Sequence, residues 1–123
     1  MLYIGCFSFD GFEAKPLHGH FTCAVNADNV DASMDRFRRL LENAQKRGDT
    51  LTDVSTIYLD TVVEVKEVPS EGFLVHMISR EGELTNSTSV VLPHVGDDVA
   101  QAFNMAQEET EGEDIEMEPF MSF

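Results

Sequence analysis

The feature that most constrains this chain is the stretch from Val30 to Arg47, where the apolar residues fall on one helical stripe. Val30, Met34, Phe37, Leu41 and Ala44 recur at spacings of four and three, with Leu40 at the margin. Asp28 or Asn29 can accept the first free amides, and Asp31 sits in the positive first turn. Gly48 can end the helix in a left-handed residue, and Lys46 and Arg47 suit its negative end. An amphipathic helix of this length has one face to bury, so the rest of the chain must supply a surface to receive it.

The flanking segments predict that surface to be a sheet. Residues 2–9 are apolar and β-prone. After a loop punctuated by Gly11, Pro16 and Gly19, residues 20–26 alternate: Phe21, Cys23 and Val25 point one way, His20, Thr22 and Ala24 the other. A long strand is expected over 54–68, with Ile57, Leu59, Val63 and Val65 on one face. Tyr58, Asp60, Val62, Glu64 and Lys66 then take the other. Two more strands, near 73–79 and 87–92, complete a meander. Asp97 is placed to cap a short helix carrying Val99, Ala102, Phe103 and Ala106.

The expected fold class is therefore α+β. It is a two-layer sandwich, with an antiparallel sheet carrying one long helix on one face, a short C-terminal helix and an acidic tail. A ferredoxin-like variant fits the element types, although the helix order departs from βαββαβ. The expected organisation is one domain over residues 1–106 and an acidic tail over 107–123 with an apolar end. With 123 residues, such a chain buries roughly two-thirds of its unfolded surface and needs no disulfide or metal to hold a core.

Charge narrows the function. The chain has 23 acidic and eight basic residues, a formal charge of −15. Nucleic acid and anionic membranes would repel such a surface, whereas a basic protein surface would be attracted. Seven of the acids lie between Glu108 and Glu118, where there is no base. Beyond them come Phe120, Met121 and Phe123, large apolar residues that suit docking better than solvation, with Phe120 and Phe123 as the expected anchors. The N-terminus has no basic region ahead of an apolar core, and no apolar run approaches a membrane span. A cytoplasmic protein with free thiols at Cys6 and Cys23 is the expectation.

No stretch matches a catalytic, phosphate-binding or metal-binding motif. His18-Gly19-His20 alone reads as a surface turn, and neither a metal nor a cofactor is expected. Cys23 shares its face with Phe21 and Val25, which reads as a buried, inert thiol. Arg36, Arg38, Arg39, Lys46 and Arg47 alternate with Asp35 and Glu42 at spacings typical of a solvated helix surface. One constellation does carry chemistry. If the helix covers the Phe21/Cys23/Val25 face, then His20, Tyr58, Asp60, Glu64 and His76 share the opposite face as a candidate ligand or partner site. His76 lies between apolar Leu74 and Ile78, so something is expected to cover that strand on both sides. Two functions fit. The first is a non-enzymatic, acidic binding or regulatory domain of the inhibitor or immunity type, for a basic protein partner or for self-association as a homo-oligomer. The second is a small enzyme or ligand-binding domain working around His20, Tyr58 and His76.

Overall fold

A computed structural model describes residues 1–48, 50–81, 86–92, 95–105 and 118–123. The long helix, α1, spans Val30–Arg47. Asn29 caps it, its side chain accepting from the Ala32 amide at 2.8 Å. Gly48 closes it at φ 72°, a left-handed conformation that glycine adopts at no steric cost. The expected stripe faces inward: Phe37 and Leu41 are buried, while Val30, Met34 and Ala44 pack at the margin of the same cluster. Ser33 is buried among them and returns its hydroxyl to the Val30 carbonyl.

The sheet that receives α1 is antiparallel, so the architecture is a two-layer α+β arrangement. Its strands are β1 (Leu2–Gly11), β2 (His18–Asn26), β3 (Val54–Val65), β6 (Ala100–Asn104) and the two-residue β7 (Met121–Ser122). The order is β2-β1-β3-β6, with β7 also on β3. Among the described residues this order has one helix and is not the βαββαβ of a ferredoxin-like fold. Strands β4 (His76–Glu81) and β5 (Asn86–Val91) form a separate hairpin instead of extending the main sheet as a meander.

The face toward α1 is aromatic. Phe7 stacks on Phe21 at 5.1 Å between ring centroids and meets Phe37 edge-on at 5.4 Å. Gly5 lies under these rings: a Cβ there would come within 2.6 Å of Phe7 and 2.9 Å of Phe37, so the helix sits close because this position has no side chain.

Strand β3 does not alternate as its sequence implies. Cys6 of β1 stands opposite Thr61, but Phe7 stands opposite Leu59, leaving Asp60 as an extra residue in a β-bulge. One extra residue reverses the facing of everything after it. The expected common face of Ile57, Leu59, Val63 and Val65 is thereby split. Ile57, Leu59 and Val62 join the helix-side core, whereas Val63 and Val65 belong to a second cluster on the other face.

That second cluster covers the apolar half of the face away from α1. Phe73, Val75, Val91, Val95 and Val99 pack there against Val63, Val65 and Ala100. Phe73 and Val75 thus lie on the face away from α1, and Leu74 and Met77 are exposed. The side chain of Ile78 lies outside the described residues. The expected short helix is also corrected. Residues 97–99 form a turn and residues 100–104 form β6, paired with Thr61–Val65 of β3. Val99, Ala102 and Phe103 fit a helical spacing, but Ala100 and Ala102 equally alternate with Gln101 and Phe103. The open backbone edge of β3 decides between them, since pairing satisfies both sets of amides and carbonyls. Residue 106 and the acidic stretch through residue 117 lie outside the described residues. No helix is long and apolar enough to cross a membrane among the described residues.

Candidate functional site

The polar half of the face away from α1 is built around the bulge. On β1, Ser8 and Asp10 point to this face. On β2, His18 and His20 do, each paired across the ladder with one of them: Ser8 with His20, Asp10 with His18. On β3, Tyr58 stands opposite Ser8, and Asp60 is the extra residue just beyond it. A bulge lifts its residue out of the ladder and re-aims the side chain. Here it turns the Asp60 carboxylate toward neighbouring strands. Ser8 donates its hydroxyl to one carboxylate oxygen at 3.1 Å, and His20 Nδ1 lies 3.9 Å from the other. His76, at the start of β4, acts on the same carboxylate electrostatically from the hairpin side. Beside this group, burial and then the Asp10 carboxylate raise the pKa of the Tyr58 phenol.

The sequence-derived set therefore divides. His20, Tyr58, Asp60 and His76 lie at one place. Glu64 does not: it follows the bulge, so it turns to the helix side, where buried Tyr3 donates to it at 2.7 Å. Burial first, then the Glu64 carboxylate, pushes the Tyr3 phenol up to about 12. Ser8 belongs to the cluster and was not among the expected residues. Its signal was parity alone, a hydroxyl between Phe7 and Phe9 on an otherwise hydrophobic strand.

Electrostatics set Asp60 apart. Burial raises its pKa above the ordinary carboxyl value, while the Ser8 hydrogen bond and the charges of His20 and His76 pull the other way without cancelling it. Its side chain keeps 22% of its surface open. A carboxyl whose folded pKa lies above its unfolded one favours the fold in acid, and that contribution is lost as pH rises through the raised value. At neutral pH the ionised Asp60 is thus a cost to the fold, and a cation seated beside it offsets that cost.

The geometry also bears on nucleophiles. The Ser8 hydroxyl donates to the Asp60 carboxylate and is held by it. Both thiols, Cys6 and Cys23, are pushed up by burial, away from the reactive thiolate. Among the described residues no group of three or more His, Cys, Asp or Glu side chains is arranged to hold a metal ion.

The C-terminal segment lies on the helix side. The Phe120 ring packs 5.6 Å from Phe7 and lies under the Arg38 guanidinium at 4.5 Å, a cation–π contact. Arg38, expected as plain helix surface, also pairs with Asp35 at 3.4 Å. Phe123 donates its amide to the Ser55 carbonyl at 2.6 Å, and its side chain stays partly exposed.

No protein family, curated protein or solved structure matches this chain.

Proposed function

We propose that this chain is a non-enzymatic binding domain whose partner presents a basic group, a lysine or arginine side chain, to Asp60 on the polar half of the sheet. The observation that carries this reading is the Asp60 carboxylate itself: lifted by a bulge, mostly buried, raised in pKa and still open to solvent. A site that holds an ionised carboxylate at a cost is primed to gain from a cation. Asp10, exposed on the same face, adds a second carboxylate. The charge distribution steers in the same direction. Helix α1 carries five of the eight bases against three acids, leaving three bases and 20 acids for the rest of the chain. The basic charge therefore gathers on the helix, and the excess of acid lies elsewhere in the chain, which favours a basic protein partner over nucleic acid or an anionic membrane.

A second reading uses the same residues as a small enzyme or ligand-binding site. It is favoured by the raised carboxyl of Asp60, on which the His20 and His76 imidazoles both act electrostatically, a combination suited to proton transfer.

Calorimetric titration with a short arginine-containing peptide tests the binding reading. Asp60→Asn keeps an acceptor for Ser8 and removes the charge. It is expected to weaken the peptide by about tenfold or more, the scale of a charge-assisted hydrogen bond. Exposed Glu71→Gln should change affinity little. Equal losses from the two substitutions would mean that the peptide senses only overall charge, and the Asp60 site would be wrong.

A further inference from the structure

The main sheet has two edges, and the chain closes one of them. Along β3 the Met105 amide donates to the Asp60 carbonyl, the Phe120 amide to Ile57 and the Phe123 amide to Ser55. The other edge is β2, which pairs with β1 on one side.

The ladder between β1 and β2 fixes which groups of β2 are left over. Ala27 and Met1 exchange both backbone bonds: the Ala27 amide donates to the Met1 carbonyl at 3.0 Å, and the Met1 nitrogen to the Ala27 carbonyl at 2.8 Å. In an antiparallel ladder such bonded pairs alternate with non-bonded ones. The register from Leu2–Asn26 to Asp10–His18 runs without a shift. The bonded pairs are therefore Tyr3–Val25, Gly5–Cys23, Phe7–Phe21 and Phe9–Gly19. His18, His20, Thr22, Ala24 and Asn26 turn their amides and carbonyls outward, where no backbone partner meets them among the described residues. All five are exposed, and their side chains lie on the polar side of the sheet. An edge of this length is ordinarily blunted by a lysine, a proline or a bulge. Strand β2 has none of these, and no acid either, in a chain with 23 acids.

We propose, resting on the basic-partner reading above, that the partner adds to the open edge of β2 as an extended strand with basic residues at alternate positions, opposite His18 and His20. Side chains alternate across a strand, so both basic residues share the polar face. The one opposite His18 looks across β2 to Asp10, which pairs with His18 and lies two strands, about 10 Å, away. The one opposite His20 lies beside the imidazole whose Nδ1 is 3.9 Å from the Asp60 carboxylate. The residue between them turns to the helix side, where half-buried Phe21 suits an apolar neighbour. Backbone bonds supply the affinity, and the alternation supplies the specificity.

Amide hydrogen exchange on the full chain, with a peptide of alternating arginine and valine, tests this. The outward amides of His20, Thr22 and Ala24 should slow by about tenfold or more on binding, while those of Phe21 and Cys23, already in the β1 ladder, change little. The same peptide with its edge-facing amides N-methylated keeps its charge and should bind at least about tenfold more weakly. Thr22→Pro removes an outward amide that the β1 ladder does not use, and should weaken the unmodified peptide by roughly tenfold. The methylated peptide is tested on the unaltered chain, so that arm stands even if Thr22→Pro fails to fold. Peptide binding that is lost in Asp60→Asn, yet leaves the outward amides unprotected and tolerates methylation, overturns the added strand and leaves the basic-partner reading standing. No binding by any basic peptide overturns both. Outward protection that rises with protein concentration in the absence of peptide would give the edge to a second copy and also overturn the proposal.

Discussion

Phe37→Ala is expected to destabilise the protein by about 3–5 kcal/mol, measured as a fall in the denaturant midpoint with an unchanged slope. The ring is fully buried, meets Phe7 edge-on and lies over Gly5. Gly5 offers no side chain to fill the space it leaves, and Phe7 is already in contact with Phe21 and Phe120. Phe37 and Leu41 are the buried apolar residues of α1 in this cluster, so the loss bears on the interface of the two layers. A cost below about 1 kcal/mol, the range of surface substitutions, would contradict the packing described.

Deleting Asp60 should have a larger effect. The deletion removes the extra residue and restores strict alternation along β3. One half of the strand must then face wrongly: either Ile57 and Leu59 leave the helix-side core, or Val63 and Val65 leave the cluster under the hairpin. Each displaced large apolar residue costs about 2–5 kcal/mol. Together they consume most or all of the stability of an ordinary domain. The expected result is a chain without a cooperative thermal transition, whereas Asp60→Ala, which keeps the residue count, still folds. A deletion variant melting near the parent temperature would show that the bulge does not set the facing of β3.

These two positions also mark what the sequence made legible. The helix was readable because cap, stripe and closing glycine all agree: Asn29, Phe37 and Gly48 act as their chemistry implies. Strand β2 was readable because Phe21, Cys23 and Val25 are separated by polar or small residues. The bulge was hidden because apolar residues flank it on both sides. Counting by twos from Ile57 reaches Val63 and Val65 without meeting a contradiction, and the error surfaces only at Glu64 and Val62, which turn to the helix. His20 and Asp60 share a face by parity alone, since both precede the reversal. His76 reaches the same region by another route: it begins a separate hairpin and not a further strand of the main sheet. No local pattern encodes where a hairpin lies in space, since that depends on long-range packing of Phe73, Val75 and Val91. The mistaken helix over 97–106 has the same origin, because the free edge of β3 outweighed a weak local spacing.

In the proposed function, Asp60 is the carboxylate that receives a basic group. Its titration, followed by NMR of the side-chain carboxyl with and without the arginine peptide, tests this most directly. A proton and a guanidinium compete for one carboxylate, so each must weaken the other. In the free protein Asp60 should titrate above the ordinary carboxyl value. Saturating peptide should bring it down, and affinity should fall as pH is lowered through the raised value. Full peptide binding with the Asp60 titration unmoved would contradict the assignment.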